Sequence, residues 1–293
     1  MTDSPFRSVL AARASLGECP VWAGDEGVLY WVDIEAPSLN RFDPVTGNNT
    51  AYPMPENIGC FGRREKGGFI AGLRSGVWLL NEAASPVECL ARPVADTSIS
   101  RFNDGRIDPW GRFWAGTIHE PRDAPLASLY RVDSDLSCHR LAGEVLVSNG
   151  VAFSPDRRWV YHSDTPNHVI YRYPLDPSSG ELLGPGEVFH RFPFGNGRPD
   201  GAAVDSEGYY WSALFEGGRV VRLSPDGEIV AEYPTPARCP TMCAFGGEDL
   251  KTLYVTSARH GRPAEELEAY PQSGDIFSMR VEVAGRPEPL FVG

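Results

Sequence analysis

Four oxygen-bearing side chains recur at one place relative to short apolar runs. Glu18 and Asn149 each stand 11 residues ahead of such a run, at Leu29 and Val160, and Asn103 and Asp200 stand 10 ahead of Phe113 and Tyr210. The two remaining equivalent positions fall in Ile58-Gly59-Cys60 and Pro240-Thr241-Met242. Taken singly, Asn and Asp beside Gly are ordinary turn formers. Recurring in one phase, they have a chemical consequence. Two carboxylates gathered out of water repel each other and lose solvation unless a cation lies between them. An all-oxygen set of Glu, Asp and Asn suits a hard divalent ion, with positions left open for water or substrate. No His falls in phase and Cys60 is the one thiol that does, so a His-rich zinc centre is not indicated. Ser148 lacks a G-x-S-x-G setting, which disfavours a serine esterase.

The elements that would gather these residues are visible as repeats. Leu29–Asp33, Phe69–Leu73, Phe113–Thr117, Val160–Asp164, Tyr210–Leu214 and Leu253–Ser257 are strand-like runs whose first residues step by 40, 44, 47, 50 and 43. Polar turns such as Lys66-Gly67-Gly68 and Pro109-Trp110-Gly111 introduce them, and most are followed by a second strand ending in a Pro, Asp or Gly turn. A period of 40–50 residues with about four strands per unit is the signature of propeller blades. Helical repeats of that length need a 3.6-residue apolar period, which the 31 Gly and 26 Pro forbid. The expected fold is all-β, a six-bladed β-propeller spanning residues 1–293 as one domain. Its innermost strands then carry the four in-phase residues to the axis. Strand-like termini at Phe6–Leu10 and Pro289–Val292 are expected to close the ring, and residues 262–270 are the one short helix expected.

Composition narrows the partners. The net charge of −12 argues against nucleic acid or an anionic membrane surface, and no apolar run reaches the length of a membrane span. Six cysteines without C-x-x-C spacing, in a chain with no signal-peptide pattern, read as free thiols of a cytoplasmic protein. Trp22, Trp31, Trp114 and Trp211 offer faces for a sugar, although packing between strands is the better account of each.

At these residues the sequence resembles the regucalcin-like senescence-marker/gluconolactonase family of sugar lactonases. The resemblance runs through LGECPVW (16–22), LYWVDI (29–34), RFNDGRIDPWGRFWAGT (101–117), SNGVAFSPD (148–156), PDGAAVDSEG (199–208), GGRVVRL (217–223) and FGGEDLKTLYVTSAR (245–259). It implies a six-bladed propeller with one catalytic divalent metal (Ca, Zn, Mn or ferrous iron) held by Glu18, Asn149 and Asp200. It further implies that Arg101 and Asn103 hold a small-molecule sugar lactone, with Glu120 as an acidic substrate contact. Hydrolysis of that cyclic ester needs an activated water and a polarised carbonyl, and Asp200 is the candidate general base. Without the resemblance, Arg101 reads as a surface ion pair and Glu120 as a solvated rim charge. Two departures stand out: Cys19 occupies a position where many members have Gly or Ser, and residues 121–127 form a short loop beside the pocket. A propeller hydrolase of phosphotriesters or non-sugar lactones and a non-catalytic calcium-binding propeller are the competing readings.

Overall fold

A computed structural model describes residues 4–293. Among them the strands form six four-stranded antiparallel sheets, each the blade of a six-bladed β-propeller. Blade one runs Gly17–Ala23, Val28–Asp33, Ser38–Phe42 and Asn49–Pro53, and the next four blades repeat that meander. The second strand of each blade is the run that repeats in the sequence. Val28–Asp33, Phe69–Leu73 and Phe113–His119 are buried along their whole length. A strand covered on both faces by neighbouring blades reads as a continuous apolar run, which is why these segments stand out.

Blade six is built from both ends of the chain. Its first three strands are Pro240–Gly246, Thr252–Ser257 and Ile276–Arg280, and the fourth is the N-terminal strand Arg7–Leu10. That strand pairs antiparallel with the third, Arg7 opposite Ser278 and Leu10 opposite Ile276. The C-terminal segment behaves differently from expectation. Pro289–Val292 is no strand, and Phe291 makes a single parallel bridge to Arg64. Its ring is fully buried in the core beneath blades one to three. The prolines at 287 and 289 remove two ladder donors, so this stretch attaches through the Phe291 ring and a few backbone bonds, which link Phe291 to Arg63 and Glu65 and Val292 to Gly111. The short helix is Ala264–Ala269, within blade six.

Aromatic contacts join the blades. Tyr30 meets Phe61, Trp114 meets Phe153, Tyr161 meets Tyr210, Trp211 meets Phe245 and Trp22 stacks on Tyr254, at centroid separations of 4.9–6.5 Å. Between blades two and three the approach is closer. A Cβ on Gly59 would stand 2.3 Å from the Phe102 carbonyl oxygen, so only glycine fits. All four tryptophans weighed as sugar-stacking faces are buried, and Trp114 and Trp211 donate to Asp108 and Asp205 respectively.

Every innermost strand carries a break in register near its start. The breaks lie between Glu18 and Val21, Ile58 and Cys60, Phe102 and Gly105, Asn149 and Ala152, Pro199 and Ala202, and Pro240 and Cys243. A bulge leaves a residue outside the ladder and re-aims its side chain. The in-phase residues of the sequence sit at these breaks: Asn103 and Asp200 lie within them, and Glu18 and Asn149 are the last paired residues before them.

Candidate functional site

The bulges of blades one, three, four and five open into one pocket of about 290 Å³ at the end of the channel, lined by Glu18, Arg101, Asn103, Asn149 and Asp200 together with apolar Leu16, Ile118, Val147 and Phe215. Glu18, Asn149 and Asp200 are buried, while Arg122 and His260 on the same pocket are exposed, so the first three form its floor and the last two its rim.

Local geometry sets each floor residue. Asn149 precedes Gly150, whose φ of +62° and contact with the Tyr210 hydroxyl leave no space for a side chain. Cys19 takes the corresponding left-handed conformation after Glu18, with φ 46°, and its thiol fills a core position against Phe61 and Gly105. The Asn149 amide is fixed by two bonds: Nδ2 donates to Thr165 Oγ1 at 2.8 Å, and Oδ1 accepts from Asn103 Nδ2 at 2.8 Å. Thr165 in turn donates to the Pro199 carbonyl, beside Asp200. The amide oxygen therefore keeps a second lone pair.

The carboxylates are under electrostatic load. Burial pushes the Glu18 carboxyl well above the usual range, with the charges of Asp200 and Asp104 adding to the rise. Asp200 is raised by burial and then by Asp104, against the opposing charges of Arg198 and Arg122. Glu18 accepts one bond, from the Cys19 amide at 3.2 Å. Neither carboxylate forms an ion pair with a described residue. Two carboxylates and an oriented amide oxygen, short of positive charge, fit a hard divalent cation. Among the described residues no three His, Cys, Asp or Glu side chains converge as a metal-ligand group. The amide oxygen of Asn149 would be the third donor here.

The structure separates the other expected residues. Arg101 is buried, with Nε donating to Glu120 at 3.1 Å and Nη1 to the Phe102 carbonyl and Asn103 Oδ1, both at 3.0 Å. Its Nη2 lies 3.6 Å from Glu35, beyond hydrogen-bond reach, and keeps its donors. Glu120 stands behind Arg101 and does not line the pocket; Arg74 holds its carboxylate at 2.8 and 3.0 Å.

Sequence reasoning passed over Asp104, although it adjoins Asn103. It is buried, and it accepts from the Gly105 amide at 2.8 Å and the Val151 amide at 3.0 Å, tying the bulges of blades three and four together. It also missed Arg122, Arg198 and Arg262. Arg122 sits in the short 121–127 loop, and that loop was the available signal.

The architecture and the bulge-borne oxygen donors define a propeller with an axial site. The chain belongs to the SMP-30/gluconolactonase/LRE-like family, whose model matches residues 16–259. It is 56% identical to the 6-deoxy-6-sulfogluconolactonase of Pseudomonas putida, over 99% of this chain and all of that one. It is 35% identical to the pentonolactonase of Haloferax volcanii, over 96% of both. Among solved structures, the calcium-binding protein regucalcin from Agrobacterium tumefaciens superposes with a TM-score of 0.93 at 30% identity, covering 97% of this chain and 96% of that one.

Proposed function

We propose that this protein is a carboxylic-ester hydrolase that opens a sugar lactone to its sugar acid, with Glu18, Asn149 and Asp200 holding one divalent cation. The observation that carries the reading is the pair of buried carboxylates without a cationic partner on the floor of a pocket of sugar size. The names of the Pseudomonas and Haloferax relatives support the substrate class. A cation held there would supply Lewis-acid polarisation of the ester carbonyl and would lower the pKa of a nearby water.

The chain's own groups do the rest. Asp200 takes the proton from the attacking water as general base. Arg101 presents its free Nη2 donors to ring hydroxyls, and Glu120, with Arg74 behind it, holds the guanidinium in place. Asn103 is locked between Arg101 and Asn149, so it couples the substrate side of the pocket to the ligand side. The apolar wall excludes water from the opposite face of the ring.

The calcium-binding description of the Agrobacterium neighbour makes calcium the first cation to test, ahead of zinc, manganese and ferrous iron. The sulfonated lactone in the name of the Pseudomonas relative is among the first rings to assay. Six free thiols suit a reducing compartment, and we place the protein in the cytoplasm. No helix among the described residues is long and apolar enough to cross a membrane.

The test is hydrolysis of an aldonolactone panel by chelator-stripped protein resupplied with each cation in turn, with spontaneous opening subtracted. Restoration of turnover by a cation, and its loss in Asp200→Ala, is the expected result. Turnover of paraoxon with no aldonolactone opened would replace this reading with a phosphotriesterase.

A further inference from the structure

Toward its rim the pocket carries arginines that its carboxylates pair only in part. Four arginines line it: Arg101, Arg122, Arg198 and Arg262. Glu120 holds Arg101 at 3.1 Å, and Arg262 is gripped by Glu216 at 2.7 Å and Glu266 at 2.6 Å. Arg198 has only a share of that same Glu216, at 2.8 Å, and its Nε is buried without a partner. Arg122 forms no ion pair with any described residue. Its neighbour Asp123 is turned away, onto His119 Nε2 at 2.8 Å.

Both guanidiniums line the same pocket, Arg122 from its exposed rim and Arg198 half-buried at the strand end beside Asp200. Arg198 is further held by Phe215, with its Cζ 5.3 Å from the ring centroid, so its planar fork is pre-set before any ligand arrives. His260 lies on the same rim. An unpaired surface arginine is ordinary in itself. Here one lines a concave site in a chain of net charge −12, beside a second whose donors are incompletely used. That pattern is a receptor for a negative charge.

The geometry points to an anion subsite in which Arg122 and Arg198 bind a tetrahedral oxyanion, a sulfonate or a phosphate ester, carried on the carbon of the lactone farthest from the reacting carbonyl. This deepens the lactonase reading and rests on it. The placement follows from depth. With the ester opened at the buried floor beside Glu18, Asn149 and Asp200, the exocyclic carbon of a six-membered lactone is the one turned toward the exposed rim where Arg122 stands. Neutral aldonolactones bind without these contacts and leave the rim charge unanswered.

Three rings separate the possibilities: gluconolactone, its 6-deoxy-6-sulfo analogue and 6-phosphogluconolactone. The wild-type protein is expected to favour one anionic ring over the neutral ring by about 10- to 100-fold in kcat/KM, the range of a charge-assisted hydrogen bond. Whichever anionic ring is favoured identifies the oxyanion. Arg122→Gln removes at least tenfold from that ratio, and raising the ionic strength lowers it in the wild type. Arg122 is exposed, so this variant folds as the parent does. A wild-type ratio near one, or an unchanged ratio in Arg122→Gln, overturns the subsite.

Binding of the open-chain acids by calorimetry keeps this result apart from the lactonase reading. If no lactone is opened, that reading fails. Arg122-dependent tighter binding of the sulfonated or phosphorylated acid over gluconate still supports the subsite, and equal binding of all three overturns it.

Discussion

Replacing Asp200 with Asn should move stability in opposite directions depending on whether a cation is bound. In the stripped protein Asp200 is one of three buried carboxyls, with Glu18 and Asp104; burial pushes all of them against ionisation, and neighbouring carboxylate charge adds to it at Glu18 and Asp200. Asn keeps the shape and removes one charge, so the stripped variant should melt at or above the stripped wild type. With cation present the order reverses. A ligand held at a hundred times its Kd stabilises the folded state by about 2.7 kcal/mol. Unfolding entropy of about 2.1 cal/mol/K per residue gives about 0.6 kcal/mol/K for a chain of 293 residues, so the expected rise in Tm is about 4 °C. Asp200→Asn should lose most of that rise. It should also lose about 10²-fold or more in kcat, the least a general base contributes. The assays are thermal melts under calcium, zinc or manganese titration and proton release from a sugar lactone. A stripped variant that melts well below the stripped wild type, or one that keeps the cation-induced shift, would show that these carboxylates do not share a cation.

Arg101→Ala should narrow the preference for a sugar lactone over plain valerolactone by about tenfold or more, because Nη2 reads hydroxyls that valerolactone lacks; kcat/KM for both rings checks it, and an unchanged ratio excludes Arg101 as the reader. A chain started at Ala11 loses Phe6 and the strand that closes blade six, which should lower Tm by about 5 °C or more for the whole protein in one transition. Loss of blade six alone, with the other blades melting as before, would show that residues 1–293 are not one cooperative domain. Burial holds His162 at about 4, below its ordinary value of 6.5. Its neutral form therefore favours folding fully above pH 6.5, and that contribution is lost as pH falls toward 4. The wild type should lose about 2 kcal/mol between pH 6.5 and 5 from this group, at 1.36 kcal/mol per unit, and His162→Gln should be flatter by that amount in urea melts.

Most of the architecture was legible because blade geometry imposes a period. The second strand of each blade is buried on both faces, which writes a run such as FIAGL or FWAGT into the sequence at every turn of the ring. Ring closure was half legible. The N-terminal strand has the β-branched and aliphatic residues of an edge, whereas Pro289–Val292 carries strand-like residues but attaches through Phe291. Phase was enough to place Glu18, Asn103, Asn149 and Asp200 in one pocket, since equivalent bulges face one axis. Phase could not reach Arg122 and Arg198, because a long side chain extends into the pocket from a loop or a strand end. Nor could it separate Asn103 from the ligand positions. That distinction rests on the hydrogen bond that Asn103 Nδ2 donates to Asn149 Oδ1, a contact between blades with no footprint in either segment alone.

The bulge is what makes the site affordable to the fold. A flat inner strand would turn alternate side chains toward neighbouring blades, where a carboxylate meets only apolar packing. A break in register at the same point of all six strands instead frees one or two residues from the ladder and re-aims the side chains at its edge. Four of the six positions carry oxygen donors in amide or carboxyl form, and the other two are Gly59 and Thr241. Gly59 is reserved for the close approach of Phe102, and Thr241 donates to the Gly17 carbonyl, which precedes Glu18. Those two blades therefore serve packing and support. The oxygen-bearing floor residues come from blades one, three, four and five, and blade six reaches the same pocket through Ala258, His260, Gly261 and Arg262. Arg262 there is already held by Glu216 and Glu266, which leaves Arg122 and Arg198 as the arginines toward the rim with donors to spare.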